Sequence, residues 1–155
     1  MELTDDFDIY KHTLGETIIL YQFMENDLKL IYAGMLGGGY FKNIEYVRST
    51  YKGLGQIIMA LEELDNSDGN PYFSRETYTL LSKLARQRNY YCHQCCMDFC
   101  YNPYFRDSVE FKDSLDSLIR TNSQLKTIQA ETEKHRIAIL TKFNRIWLSH
   151  SLLSI

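Results

Sequence analysis

The sequence predicts an all-α bundle, on three observations. Two prolines among 155 residues leave long segments uninterrupted, apolar residues recur at spacings of three and four, and no segment alternates in the manner of a strand. With 45% hydrophobic and 24% charged residues the chain is not a disordered one. At this length one domain is expected, burying about 68–70% of the surface its unfolded chain exposes.

The first helix is read from Leu14, Ile18, Tyr21, Leu28, Tyr32 and Met35, with one position of that stripe filled by Glu25. Thr13 and Glu16 have the spacing of a capping box, and Gly37, Gly38 and Gly39 stop the helix because ordering glycine is entropically costly. A short helical piece over 43–51 is followed by a helix over 54–64, with Leu54, Ile57, Ile58, Leu61 and Leu64 on one face. Turn-forming residues make 65–71 a loop. Ser74, Thr77 and the run Leu80, Leu81, Leu84 open a helical region that continues toward Tyr101, before Asn102 and Pro103 end it. The last third, 105–147, fits one long helix or two, with Thr121, Asn122 and Ser123 as the place where a break would fall.

Charge narrows the function classes. Seventeen Lys and Arg against twenty Asp and Glu give a formal net charge of −3, so no global positive field gathers nucleic acid. A site for a polyanion must be built locally. No apolar run reaches the length of a membrane span, and the acidic N-terminus lacks the basic start of a signal peptide, so a cytoplasmic chain with no membrane partner is expected. All four cysteines lie between Cys92 and Cys100, an arrangement that suits a reducing compartment better than a disulfide framework.

The chemistry-bearing residues concentrate in 84–95. At about 100° per residue, Arg86, Asn89 and His93 share one helical face, whereas Arg88 falls about 140° from His93, near the stripe of Leu81, Leu84, Cys95 and Phe99. A cation on an apolar stripe snorkels, pairs with a buried carboxylate or faces a subunit interface. Glu25, a carboxylate on the stripe of the first helix, is the expected partner.

The run Arg88-Asn89-Tyr90-Tyr91-Cys92-His93 resembles the Arg-x4–6-His signature of the HEPN superfamily (higher eukaryotes and prokaryotes nucleotide-binding), including the polar residue that often follows the arginine. The helix order resembles HEPN proteins over roughly residues 10 to 130, with 131–155 as a C-terminal extension. The pair Arg86 and His93, with six residues between, also fits the signature. The resemblance implies a HEPN-like antiparallel helical bundle forming a homodimer, which cuts RNA without metal or other cofactor at a cleft collecting the motifs of two protomers. It also implies a toxin or defence effector, with an antitoxin or inhibitor protein as a further partner.

Carried onto this sequence, His93 exchanges protons with the RNA 2′-hydroxyl or the leaving oxygen, a task its ordinary pKa near 6.5 suits. Arg88 stabilises charge on the phosphorane, Asn89 orients the phosphate or His93, and Glu25 orients Arg88. Arg86 is held in reserve as the motif arginine, and Tyr90 and Tyr91 are the aromatic residues to test for RNA contact. One departure stands out: where HEPN toxins paired with a nucleotidyltransferase antitoxin carry a modified tyrosine two residues after the histidine, this chain has Cys95. The alternative reading is a non-catalytic HEPN-like dimer that binds RNA or protein, as in family members that lost catalysis.

Other features have plainer readings. Cys92, His93, Cys95, Cys96 and Cys100 crowd one segment instead of forming two separated ligand pairs, so no metal site is expected there and the cysteines act as small apolar residues. Gly37 to Gly39 and Gly53-Leu54-Gly55 lack the rest of any phosphate-loop or dinucleotide fingerprint and read as turns. His135 is expected to be solvated, and Trp147, Leu152, Leu153 and Ile155 to pack across a dimer or fray.

Overall fold

The computed structural model describes residues 5–143, and every element among them is helical. The helices are α1 (Asp6–Met35), α2 (Tyr40–Thr50), α3 (Leu54–Asp65), α4 (Arg75–His93) and α5 (Val109–Lys142), with one 3-10 turn at Phe105–Asp107. Trp147, Leu152, Leu153 and Ile155 lie outside the described residues.

Consecutive helices reverse direction, so α1 and α5 run the same way, side by side. Their register advances together: Phe7 meets Phe111 edge-on, Asn122 Nδ2 donates to Thr17 Oγ1 at 3.0 Å, and Arg136 Nε lies 2.9 Å from Asp27 Oδ1. Helix α4 runs opposite to both, with Tyr10 donating to the Cys95 carbonyl at one end and Thr77 to Glu131 near the other. The short α2 and α3 cover the C-terminal half of α1, where Arg48 reaches Asn26.

Two boundaries differ from the sequence expectation, and one alternative it left open is decided. Helix α1 starts at Asp6, capped by Asp5, whose side chain accepts from the Phe7 N–H, and Asp6 and Asp8 sit at the positive end of the helix dipole. Thr13 is therefore inside the helix and makes no capping box. Helix α4 stops at His93, with the Gln94 N–H bonded to the Tyr90 carbonyl, instead of running on toward Tyr101. The turns after it bring Phe99, 3% exposed, into an aromatic cluster with Tyr10, Phe105 and Phe111. That burial outweighs the bonds a continued helix would add. Helix α5 is unbroken through Thr121, Asn122 and Ser123, because Thr121 and Asn122 turn inward and find partners on neighbouring helices: Tyr91 donates to Thr121 at 3.1 Å, and Asn122 to Thr17.

The α3–α4 connection is organised by Asp65, the last residue of α3 and 2% exposed. Its carboxylate accepts from the Tyr72 and Phe73 N–H groups at 2.8 and 3.0 Å and from the Tyr78 hydroxyl at 2.8 Å. Ser74 then caps α4 by accepting from the Thr77 N–H. No helix among the described residues is long and apolar enough to cross a membrane.

Candidate functional site

Helix α4 buries Tyr78, Leu81, Leu84 and Tyr91, and this inward stripe fixes where its polar residues point. Arg88 leans toward α1, with Nη2 3.7 Å from Glu25 Oε2. Glu25 is held at the same time by Lys29, one turn along, at 2.7 Å. The Glu25 side chain is 14% exposed and that of Arg88 32%, so the carboxylate is largely withdrawn from water while one edge of the guanidinium remains open.

Arg88 stands between two hollows. One, about 390 Å³, lies between α3 and α4 and is lined by Gly53, Leu54, Gly55, Arg86 and Asn89 among others. The other, about 320 Å³, lies between α1, α2 and α4 and is lined by Gln22, Glu25, Asn26, Lys29, Arg48 and Arg88. In the first, α3 starts at Leu54 behind Gly53, which supplies no side-chain cap, and a Cβ on Gly55 would enter open space. Positive partial charge at a helix start thus faces the same hollow as Arg86, Arg88 and Asn89.

His93 is exposed at the last position of α4 and lines neither hollow. The structure therefore brings Arg88, Asn89, Arg86 and Glu25 into one neighbourhood and places His93 apart from Arg88, as helical phase requires. Tyr90 is half-buried and donates to Asp98 Oδ2 at 3.0 Å; burial and then that carboxylate push its phenol up to about 12. Tyr91 is 4% exposed, packs edge-on against Tyr90 and donates to Thr121, which makes it a packing residue of the single chain.

The cysteine segment is not helical throughout: Cys95, Cys96 and Cys100 fall in the turns after α4. Cys95 is buried, with its sulfur 3.8 Å from that of Cys96, and burial pushes the Cys96 thiol up to about 11. Among the described residues no group of three or more His, Cys, Asp or Glu side chains converges as a metal site would require. His135 is not freely solvated as expected, since its ring lies 4.3 Å from that of Phe73 and its side chain is 27% exposed.

Sequence reasoning did not find Lys29 and Arg48 at the Arg88 neighbourhood, nor the open start of α3. Lys29 was visible in principle, being four residues from Glu25 on the same helix. Arg48 was not, because its place depends on how α2 folds back on α1. No family model matches this chain, and neither a curated protein nor a solved structure is significantly similar to it.

Proposed function

We propose that this protein is an endoribonuclease of HEPN type, cutting RNA by attack of a 2′-hydroxyl on the adjacent phosphate to leave a 2′,3′-cyclic phosphate and a 5′-hydroxyl. The observation that carries the reading is Arg88, held by Glu25 and bordering a hollow that Arg86 and Asn89 also line. A cation and an amide donor fixed beside open space are what a phosphate with developing negative charge needs. His93, exposed at the end of α4, is accessible to a second protomer, so a homodimer supplies the histidine that helical phase keeps from Arg88 within one chain. In this reading His93 moves the proton, Arg88 and Asn89 hold the phosphate, and Glu25 positions Arg88. A toxin or defence role, with an antitoxin or inhibitor protein to restrain it, belongs to the same proposal.

A second reading, a non-catalytic helical interaction module, draws on Ile19 and Phe23, exposed 50% and 57% and one turn apart on α1. One experiment separates the two. Purified protein is incubated with total RNA in EDTA beside Arg88→Ala and His93→Ala, with the mass of each in solution measured in parallel. The ribonuclease reading expects fragmentation by wild type, reduced about 10²-fold or more in either variant. Identical RNA profiles, with association weakened in the variants, select the interaction module.

A further inference from the structure

Helix α4 carries Arg75, Lys83, Arg86 and Arg88 against the single acid Glu76, a formal charge of +3 with His93 neutral, in a chain whose total is −3. Arg75, Lys83 and Arg86 are exposed, and none of them makes an ion pair among the described residues. Other exposed cations, Lys112 and Lys134 among them, also lack an ion pair, so alignment on one helix, and not lack of a partner, sets Arg75, Lys83 and Arg86 apart. The three unpaired cations line one open hollow of about 560 Å³ on the outer side of α4, together with Glu76, Thr79 and Leu80. Arg86 also lines the hollow that Asn89 and Arg88 border, so the two hollows share this side chain.

The spacing of eight and then three residues places Arg75, Lys83 and Arg86 along one helical flank over roughly 16 Å. A row of exposed cations on one straight helix, three against the single Glu76 beside them, complements a row of phosphates. Arg86, shared with the Asn89 hollow, favours a nucleic-acid strand over an acidic protein, because the row ends beside the place where a phosphate is proposed to react. We propose that the outer flank of α4 is a track for the backbone of single-stranded RNA, delivering the strand from Arg75 past Lys83 to Arg86 and the Arg88 hollow. The inference rests on the ribonuclease reading for the identity of the strand, not for the existence of the track. Thr79 adds no second donor here, since its hydroxyl is engaged by the Arg75 carbonyl.

The test is binding of a fluorescein-labelled twelve-nucleotide RNA, 2′-O-methylated so that it cannot be cut, a duplex of the same sequence and a labelled polyglutamate peptide, each in EDTA over a series of salt concentrations, with cleavage of the unmethylated strand followed in parallel. Wild type is compared with Arg75→Ala/Lys83→Ala and with a control, Lys112→Ala/Lys134→Ala, which removes the same charge from exposed positions of α5. All of these substitutions are at exposed helical sites, and circular dichroism checks that each variant folds. The expected result is several-fold weaker single-strand binding by the α4 variant, uniformly across sequences, with the slope of log K against log salt reduced by about 0.7 for each cation removed and unchanged in the control. Equal binding by the two double variants, or no binding of the single strand by wild type at low salt, overturns the track. So does tighter binding of the duplex, or α4-dependent binding of polyglutamate alone, which would make the flank a dock for acidic protein. Track-dependent binding without cleavage removes the ribonuclease reading and leaves the track, whereas cleavage with unaltered binding by the α4 variant does the reverse.

Discussion

Glu25 takes Lys29 at 2.7 Å and Arg88 at 3.7 Å from a position almost out of water, so the direction in which Arg88 points depends on a single carboxylate. Glu25→Gln keeps the size of the side chain and removes the charge. If Glu25 acts by positioning, RNA cleavage, measured well below the melting temperature of the variant, falls by up to about 10²-fold with kcat reduced more than KM rises. Restoration of activity by Glu25→Asp supports positioning by charge, and an unchanged rate in Glu25→Gln argues against it. This pairing was legible in the sequence because a carboxylate and a guanidinium each sat on an otherwise apolar stripe, and two such residues stabilise the core only by meeting. The pair Asp27 and Arg136 was not legible by the same logic. Arg136 sits in the polar run Glu131 to Arg136, which reads as a solvated face, yet its side chain is 6% exposed against Asp27.

Among the elements, the existence of the helices was readable from apolar spacing, and their ends were less so. Ser74 and the glycines after Met35 mark boundaries with local chemistry, and those held. The end of α4 at His93 depends on Phe99 finding Tyr10 and Phe111, contacts between residues far apart in sequence that no local signal encodes. Replacing Phe111, which is 0% exposed and touches Phe7, Tyr10, Phe99 and Phe105, by alanine is expected to cost about 3–5 kcal/mol by chemical denaturation. Asp65 does for the α3–α4 connection what a cap does for one helix. Asp65→Ala leaves two N–H groups and the Tyr78 hydroxyl without their acceptor, at a cost on the order of 3 kcal/mol, and a loss below about 1 kcal/mol would contradict that role. Asn122→Ala strips Thr17 of its buried partner and is expected to cost about 1–3 kcal/mol, which distinguishes an inward polar residue from a helix break.

For the whole molecule, α1 and α5 form the long parallel pair on which the other helices lean, and Asp27 with Arg136 is buried in the seam. Burial pushes the Asp27 carboxyl up to about 6, partly offset by the Arg136 guanidinium and reinforced by the nearby Glu133. The unfolded carboxyl titrates near 3.8, so between about pH 4 and 6 the native state holds the extra proton. This group's contribution to stability is therefore greatest in acid and falls as pH rises through that window, by roughly 2–3 kcal/mol. Measured against Asp27→Asn, which cannot titrate, wild type is expected to lose relative stability from pH 4 to pH 7, and a difference that does not change with pH would contradict the account. The fold class was legible because helical periodicity is local, while the packing of helices far apart in sequence, which decides what Arg88 and His93 can meet, is not. The central claim, that RNA is cut through its own 2′-hydroxyl, is tested most directly by mass spectrometry of the products from one RNA oligonucleotide and its fully 2′-O-methylated counterpart, both incubated with the protein in EDTA. Fragments ending in 2′,3′-cyclic phosphate are expected from the RNA and none from the methylated strand; cleavage of both strands, or of neither, would overturn attack by the 2′-hydroxyl.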